Sequence, residues 1–592
     1  MRSFFRTLLA CFIAVMAAGV VGFIFITMLV SVMSAALGES FTGGTTRTVG
    51  SGSVLRITLD ESISDNPAEA PVSASFLTGS VHVNRQLSLL DAISAIEAAA
   101  DDPRIEAVYL NINGYPSIGP ASMGELREAL DAFRLSGKPL ISYADSYTQS
   151  AYYIGSVADR VYLNPAGDLE WRGMASRTLF FKGMLDKLGI RSEIVRHGRY
   201  KSAVEPFTER EMSPDSRLQT ERLVGSVWGG IVAQIAASRS LDSAALQRYA
   251  DSLSIDTPER AVELGLIDSL LYVDQMEEVI DSLIGPDYDV VDLIDYAALY
   301  SVPASAAGPR VEVIYAEGDI VDGYGRRDEV GGDRLSLELA EALDNDDIAA
   351  VVLRINSPGG SALASDVIAR QTELLRGEKP VVVSMGDYAA SGGYYIAAPA
   401  DMICASPFTV TGSIGVFGLM FDIGDALESN LGITSSAVGS NLSADMGDMT
   451  RPLTDSERRY MQRAVDRTYD RFVGVVAKGR NLTVARVDSM AQGRVWSGTD
   501  ASQIGLVDVC CGLKGAIALA AESAGVYDDF TVTTQRPSQS RINMFIELLG
   551  QEVSVSDDPL VGLAAKMSQR IRNVVRDNDK VMALMPLELI LR

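Results

Sequence analysis

The 592-residue sequence predicts an α/β protein that contains two copies of one repeat and is preceded by one membrane-spanning helix. Three observations support this fold class. Apolar runs alternate with helical stretches along most of the chain, the second half repeats the segment order of the first, and residues 7–38 carry no charged side chain. Strands and helices that alternate in this way form parallel sheets with right-handed crossovers.

The uncharged stretch 7–38 is long enough to cross a bilayer, which takes about 20 helical residues. Arg2 and Arg6 precede it and Glu39 follows it, so the positive-inside rule leaves the N-terminus in the cytoplasm and the body outside. A cleaved signal peptide is the alternative, with residues 34–36 as the cleavage site. The apolar part of a signal peptide spans only about 7–15 residues, which favours an uncleaved anchor.

Three pairs of segments define the repeat and occur in the same order at nearly the same offset. Residues 101–113 resemble 344–356, residues 137–165 resemble 377–407, and residues 238–268 resemble 478–508. Such self-similarity indicates a duplicated domain. The resulting domain organisation is an anchor at 1–38, a Gly/Ser/Thr-rich flexible spacer at 39–53, the two copies at 54–300 and 301–540, and a helical extension at 541–592.

Each copy has the same predicted series of elements. The first copy has strands at 54–63, 107–112 and 139–142 and a helix at 122–135, and the second has strands at 311–321, 350–355 and 380–384 and a helix at 362–375. Continuous apolar runs of this length are typical of strands buried on both faces. Ligands of parallel sheets bind beyond the carboxyl ends of the strands, so the loops after Ile355 and Ser384 are the candidate site.

Composition excludes several classes of function. Lys and Arg number 51 against 77 Asp and Glu, and the net charge of −26 would repel nucleic acid. His82 and His197 are the only histidines, so His-rich zinc sites are nearly excluded and any Ser-His-Asp mechanism must use one of these two residues. We expect no metal or other cofactor. We interpret both histidines as structural.

The four cysteines are too few for a disulfide framework in a chain of this length. Cys11 lies in the apolar N-terminal run, and Cys510 and Cys511 are adjacent, so a bond between them would be strained. We therefore predict that Cys404, Cys510 and Cys511 are small buried thiols.

The loop after Ile355 contains Gly359 and Gly360, whereas the matching loop after Ile112 has no double glycine. Consecutive glycines allow the backbone to approach a ligand and to direct N–H groups at a developing negative charge, as an oxyanion hole requires. A tight strand-to-helix turn would require the same residues, so both interpretations stay open for this pair alone.

The loop after Ser384 contains Ser391, followed by two glycines that begin with Gly392. A serine at such a turn can present its hydroxyl as a nucleophile, with the N–H at Gly392 helping to hold an oxyanion, or it can simply cap the helix. The first copy keeps Ser150 but follows it with Ala151. Only the second copy has the glycines that nucleophilic attack would need.

The candidate base comes from the other copy. Lys201 lies in the first copy, and the corresponding stretch of the second, 438–443, contains no lysine. A buried lysine loses part of its pKa, and its neutral amine can accept the proton of a serine hydroxyl. One site assembled from both copies would explain why the serine and the lysine are each found in only one of them.

Four segments then resemble a known family. They are YKSAVEPF at 200–207, LRINSPGGSA at 353–362, ASGGYYIA at 390–397 and TGSIGVFG at 411–418. In this order and behind an apolar N-terminal run, they resemble the long, tandem-domain form of signal peptide peptidase A (protease IV). The resemblance implies that Ser391 is the nucleophile and Lys201 the general base, that Gly359 and Gly360 belong to the oxyanion loop, and that Ser413 orients the lysine.

The same resemblance implies the ClpP/crotonase fold, built from repeated β-β-α units. It also implies a homotetramer on the outer face of a bacterial cytoplasmic membrane, in contact with lipid through the N-terminal helix. Its substrates would be signal peptides already released from preproteins and other extended apolar peptides, with no nucleic acid involved.

The sequence therefore predicts a membrane-anchored serine endopeptidase with a Ser-Lys dyad. Two alternatives stay open. A crotonase-type acyl-CoA enzyme would share the Gly-rich loop, but no pair of glutamates accompanies that loop here. A non-catalytic membrane scaffold would have kept the fold without the activity.

Overall fold

The computed structural model describes residues 49–59, 63–65, 72–75, 80–83, 87–114, 116, 118–299, 308–527, 530–534 and 582–585. The predicted anchor at 1–38 and most of the spacer lie outside these residues. Among the helices that are described, none has the length and apolar character needed to cross a membrane.

The first copy contains eleven described strands and ten α-helices. The strands are β1 (Ser53–Thr58), β2 (Ile63–Ser64), β3 (Val72–Ser75), β4 (Ser80–Val83), β5 (Leu87–Ser88), β6 (Ile105–Asn111), β7 (Leu140–Ala144), β8 (Arg160–Leu163), β9 (Arg191–His197), β10 (Ser269–Leu270) and β11 (Asp289–Asp292). The helices are Leu89–Asp101, Pro120–Arg134, Gln149–Gly155, Lys182–Leu188, Glu205–Thr208, Pro214–Arg239, Ser243–Ser252, Pro258–Glu263, Val273–Ile284 and Leu293–Ala297, with a 3₁₀ turn at Ser202–Val204.

The described part of the second copy continues the same series. Its strands are β12 (Arg310–Glu317), β13 (Asp319–Val321), β14 (Glu329–Gly331), β15 (Ile348–Ser357), β16 (Gly359–Ser361), β17 (Val381–Ala390), β18 (Met402–Ala405), β19 (Val410–Gly412), β20 (Val416–Asp422), β21 (Val495–Ser497), β22 (Val509–Cys510) and β23 (Thr531–Thr534). Its helices are Gly332–Asp344, Ala362–Arg376, Gly392–Ala397, Gly424–Leu431, Asp455–Gly479, Val484–Met490, Gly498–Ile504 and Leu513–Ser523. A last strand, β24 (Met582–Leu584), lies in the predicted extension, where we expected helix.

Each copy has a parallel sheet with the same strand order. The first sheet runs β10-β8-β7-β6-β1-β11, and the second contains the equivalent path β22-β18-β17-β15-β12-β23. All of these pairings are parallel, as the alternation of strands and helices predicted. In the second copy, β19 also pairs with the C-terminal end of β17, and β21 pairs antiparallel with β19.

Side-chain contacts repeat along with the strands. Lys138 Nζ donates to the carbonyl oxygens of Ala99 and Asp102, and Lys379 Nζ donates in the same way to those of Ala342 and Asn345. The hydroxyls of Tyr152 and Tyr394 each donate over 2.8 Å to the carbonyl of an equivalent leucine, Leu266 and Leu506. The duplication thus includes the interior packing of each copy.

A buried charge cluster joins the copies. Arg354 on β15 is fully buried and pairs at 2.9 Å with Asp65 and with Glu125 of the first copy. Asp387 on β17 accepts hydrogen bonds from the backbone N–H groups at the start of helix Pro120–Arg134. Strands β15 and β17, which lead to the two candidate loops, are therefore fixed to one helix of the other copy.

A third sheet is made by both copies and the C-terminal strand, in the order β14-β13-β16-β24-β20-β9. Strand β9 of the first copy pairs antiparallel with β20 of the second, with His197 opposite Val416. His197 stacks on Tyr469 and its Nδ1 lies 2.9 Å from Asp466, so its contacts are those of a packing residue. His82 lies on β4, opposite Ser73.

The prediction of three free thiols is wrong. Cys404 and Cys511 form a disulfide with Cα atoms 5.3 Å apart, while Cys510 is free and exposed. The pairing of β18 with β22 places Ala405 opposite Cys510 and so brings the next residue, Cys511, beside Cys404. This contact joins residues 107 positions apart in the sequence, so the spacing of the cysteines alone does not reveal it.

Candidate active site

Ser391 is held in an unusual backbone conformation at the end of β17. Its φ of 56° and ψ of −113° lie in a region that L residues rarely adopt, and its N–H donates to Gly412 O over 2.8 Å. It occupies the N-cap position of helix Gly392–Ala397 without making a side-chain cap bond. The helix-cap interpretation is therefore wrong, and the fully buried hydroxyl is left for another partner.

That partner is Lys201, which follows β9 in the first copy. Lys201 Nζ lies 2.7 Å from Ser391 Oγ, and 3.0 Å from both the carbonyl oxygen and Oγ of Ser413. Ser413 lies between β19 and β20 and has a φ of 52°. The pairing of β9 with β20 brings the lysine from one copy to the two serines of the other.

Burial sets the protonation behaviour of the lysine. The Lys201 side chain is almost completely shielded from solvent, and this desolvation lowers its pKa well below the ordinary value of a lysine. The oxygens around Nζ belong to hydroxyl and carbonyl groups, which do not offset the loss of hydration as a carboxylate would.

Two glycines and a glutamine, which the sequence analysis missed, hold the lysine loop. A Cβ on Gly493 would lie 2.6 Å from the backbone N of Lys201, and one on Gly415 would lie 3.2 Å from its Cδ. The buried Gln219 donates to the carbonyl of Tyr200 and accepts from the N–H of Val495. Gly493 has a positive φ, and no pattern in a single sequence shows that this residue lies against the backbone of Lys201.

The predicted oxyanion glycines lie next to the nucleophile. Gly359 has a φ of 105°, and a Cβ on Gly360 would lie 2.0 Å from Ile320 O, so both positions require glycine. A Cβ on Gly392 would lie 3.2 Å from Gly359 Cα and from Gly360 N. All three predicted glycines therefore converge on the turn that carries Ser391. Within the described ranges, no group of His, Cys, Asp and Glu side chains is placed to hold a metal ion.

Comparisons with known proteins agree with this architecture. The model of peptidase family S49 matches twice, at residues 132–285 and 373–527. This chain belongs to peptidase family S49. Protease 4 of Haemophilus influenzae is 33% identical over 96% of both chains, and Protease 4 of Salmonella typhi is 37% identical over 74% of this chain and 72% of its own.

Membership of the family confirms two predictions. The chain is a serine peptidase related to Protease 4 and SPPA proteins, and its α/β fold is duplicated in tandem. Among solved structures, a ClpP1 mutant from Listeria monocytogenes aligns with 35% of this chain and 94% of its own, at 15% identity and a TM-score of 0.24.

Proposed function

We propose that this protein is a membrane-anchored serine endopeptidase that hydrolyses extended apolar peptides with a Ser391–Lys201 dyad. The observation that carries the proposal is the 2.7 Å distance between Ser391 Oγ and Lys201 Nζ inside a buried site. A nucleophile and its base within hydrogen-bond reach are the minimum requirement for activating a serine.

Burial of Lys201 supports a neutral amine as the base, and the contacts of Nζ accommodate one. An ammonium group has three N–H donors and no lone pair, whereas a neutral amine has two donors and one lone pair. The carbonyl of Ser413 can only accept, and Ser413 Oγ can accept the second N–H. The lone pair then faces Ser391 Oγ and can accept its proton, so Ser413 orients the amine.

The reaction would proceed by acyl transfer. Lys201 removes the proton of Ser391, and Ser391 Oγ attacks the scissile carbonyl carbon while backbone N–H groups of the loop at Gly359 and Gly360 and the N–H of Gly392 hold the oxyanion. The protonated lysine then donates its proton to the leaving amine. Water hydrolyses the acyl-enzyme by the same steps, with Lys201 again as base.

Two features support a location at the outer face of a bacterial cytoplasmic membrane, where released signal peptides, the substrates that we propose, would be found. The sequence carries an uncharged run at 7–38 that would place the catalytic body at the outer face of a bacterial cytoplasmic membrane. The Cys404–Cys511 disulfide suits an oxidising compartment of that kind. We further propose a homo-oligomer, a tetramer by resemblance, whose subunit number sedimentation of the detergent-solubilised chain would measure.

The dyad is tested by substitution at Lys201 in the full chain. Lys201→Met keeps an apolar stem without an amine, and Lys201→Arg keeps a cation that cannot act as a base, so both should abolish cleavage of a fluorogenic apolar peptide. The exposed Lys187→Met is the matched control and should cleave at the wild-type rate. Cleavage by Lys201→Arg at more than a trace would overturn the assignment of the base.

Covalent labelling separates the peptidase from the two alternative functions. A serine-directed acylating inhibitor should modify the wild-type protein at Ser391, and mass spectrometry of the digested protein would locate the adduct. Neither a crotonase-type acyl-CoA enzyme nor a non-catalytic scaffold requires a nucleophilic serine. An unlabelled Ser391 in a folded protein would favour one of them.

A further inference from the structure

The segment that precedes β21 packs against the lysine loop, residues 198–201. The two backbones meet at a glycine on each side. A Cβ on Gly198 would lie 2.6 Å from the carbonyl carbon of Gln492, and a Cβ on Gly493 would lie 2.6 Å from the backbone N of Lys201. Because the contact is made by backbone on both sides, a displacement of Gln492 would be passed directly to the lysine.

The same segment also holds the turn that contains Ser413. The N–H of Gly493 donates to Ile414 O, and the N–H of Ser413 donates to Arg494 O, each over 2.7 Å. The carbonyl oxygen and Oγ of Ser413 are the acceptors for Lys201 Nζ. The segment therefore contacts both the lysine loop and the residue that orients the amine.

Gln492 has a strained backbone at the centre of this contact. Its φ is 54°, in the left-handed region that residues other than glycine rarely adopt. In this conformation its carbonyl oxygen accepts the N–H of Tyr200 over 2.8 Å. Strain of this kind persists only where the surrounding structure holds it, and it is concentrated at functional sites.

The side chain of Gln492 provides the contacts that hold the strain. Its Nε2 donates to Asp488 Oδ1 over 2.6 Å and to the Tyr469 hydroxyl over 3.1 Å, and its backbone N–H donates to the same hydroxyl over 3.3 Å. The buried Tyr469 in turn donates to Asp488 Oδ1 over 2.6 Å and stacks on His197, at the end of the strand that leads to the lysine loop. One hydroxyl and one carboxylate thus fix both ends of the strained residue.

We propose that Gln492 is a positioning residue for the Lys201 base. Its side chain, tied to Tyr469 and Asp488, keeps the strained backbone in the shape that fits the lysine loop to the Ser413 turn. The inference rests on the proposed function, since it takes Lys201 to be the base. Gln492 acts through the backbone of the lysine loop rather than on the reacting atoms.

A displaced lysine loop would change two measurable properties. Lys201 has a lowered pKa because it is buried, so a displacement that admits water would raise this pKa towards the ordinary value of a lysine. The fall of kcat/KM at acid pH, its acid limb, would then move to higher pH, because more of the amine is protonated at a given pH. Misalignment of Nζ with Ser391 Oγ would also lower kcat. Loss of fold stability alone would change neither property.

The test compares Gln492→Met with Gln492→Gly in the full chain. Methionine keeps a side chain of similar length without N–H donors, whereas glycine adopts the positive φ freely. For a fluorogenic apolar peptide, Gln492→Met should lower kcat about tenfold and move the acid limb of kcat/KM up by about one pH unit. Gln492→Gly should lie between Gln492→Met and the wild type. A wild-type acid limb in Gln492→Met, or an equal shift in Gln492→Gly, would overturn the inference.

Two controls measure the effect of lost stability alone. Asn481 has a φ of 52°, so Asn481→Met introduces a similar strain outside the segment. Tyr152→Phe removes a buried hydroxyl that donates to Leu266 O in the first copy, and it is the match for Tyr469→Phe. Both controls should unfold at a lower urea concentration and keep the wild-type acid limb, whereas Tyr469→Phe should move the limb to higher pH. The same shift in a control would overturn the positioning role.

A measurement without substrate separates this inference from the proposed function. The contribution of the lysine is isolated by comparing the urea unfolding of each detergent-solubilised chain with that of the same chain carrying Lys201→Met. The pH range in which Lys201 raises stability begins at its folded pKa, and in Gln492→Met it should begin about one pH unit higher than in the wild type. This shift without peptide hydrolysis by any variant or the wild type would refute the peptidase mechanism and keep the positioning role. Hydrolysis with one common acid limb would keep the mechanism and overturn the role of Gln492.

Discussion

The two copies of the repeat differ at the turn that follows β7 in the first copy and β17 in the second. In the first copy β7 ends at Ala144 and Ser150 lies inside helix Gln149–Gly155, with its Oγ 3.1 Å from Thr148 Oγ1. In the second copy β17 continues to Ala390, and Ser391 adopts a positive φ immediately before the next helix. The equivalent serines therefore differ: Ser150 is a helix residue, and Ser391 is a candidate nucleophile.

Glycine accounts for this difference. A Cβ on Gly392 would lie 2.7 Å from Ser365 Oγ, and one on Gly393 would lie 2.7 Å from Ser357 O. The first copy has Ala151 after its serine, so its turn cannot approach a neighbouring loop in this way. The contacts of Lys138 and Lys379, and those of Tyr152 and Tyr394, are thus equivalent in the two copies. The close approach of the serine turn to a neighbouring loop occurs only in the second copy.

The largest expected effect concerns the two serines. Ser391→Ala should lower kcat for an apolar peptide by at least about 10⁴-fold, because removing a nucleophile leaves only binding and oxyanion stabilisation. Ser150→Ala removes the equivalent hydroxyl of the first copy and should retain the wild-type kcat. A comparable loss in both variants, measured on proteins with the same circular dichroism, would show that the two turns do not differ in role.

The next effect concerns the charge cluster between the copies. Burial opposes the charge on Arg354, but the carboxylates of Asp65 and Glu125 raise its pKa, so it stays protonated. Arg354→Met leaves those carboxylates buried without their partner and should lower the free energy of unfolding by about 3–5 kcal/mol. The half-exposed pair of Arg376 and Asp401 is the control, and Arg376→Met should cost less than about 1 kcal/mol.

Urea unfolding of the detergent-solubilised full chain of both variants would measure these values. If Arg354→Met unfolded at the same urea concentration as Arg376→Met, the cluster would not hold the copies together. The positions of β15 and β17 would then have to be fixed by apolar packing alone.

A third effect concerns the approach of Gly493 to Lys201. A methyl group there would displace the lysine backbone, and since misplacing a catalytic group by about 1 Å can cost 10²-fold, Gly493→Ala should lower kcat by about that factor. Gly505 has a similar φ of 86° but open space around its Cβ position, so Gly505→Ala should cost about 1 kcal/mol of stability and leave kcat unchanged. Equal kcat values would show that the loop tolerates the displacement.

The fold was predictable because the repeat is encoded in local patterns. The predicted helix at 362–375 matches Ala362–Arg376, and the predicted strand at 350–355 lies within Ile348–Ser357, since apolar periodicity acts over a few residues. The dyad residues were predicted from their asymmetry between the copies, and the structure brings Lys201 and Ser391 together.

Long-range pairing was not predictable from one sequence. The Cys404–Cys511 bond depends on the register of β18 and β22. The position of β24 depends on its pairing with β16 and β20, which lie far earlier in the chain. The sequence predicts helix for the extension at 541–592, whereas Met582–Leu584 form a strand, because the neighbouring edges of β16 and β20 are available for pairing.

The smallest expected effect concerns the pH dependence of stability that Lys201 of the first copy contributes. Its pKa is lowered in the folded state, so between that value and about 10.4 the unfolded chain binds more protons. Stability should therefore rise with pH in this window, by up to about 1.4 kcal/mol for each pH unit, and lose this contribution as pH falls. Lys201→Met should lack the rise, while the exposed Lys187→Met should keep it. Activity should also fall as acid protonates the amine, so a pH profile of kcat/KM without an acid limb would contradict a lysine base.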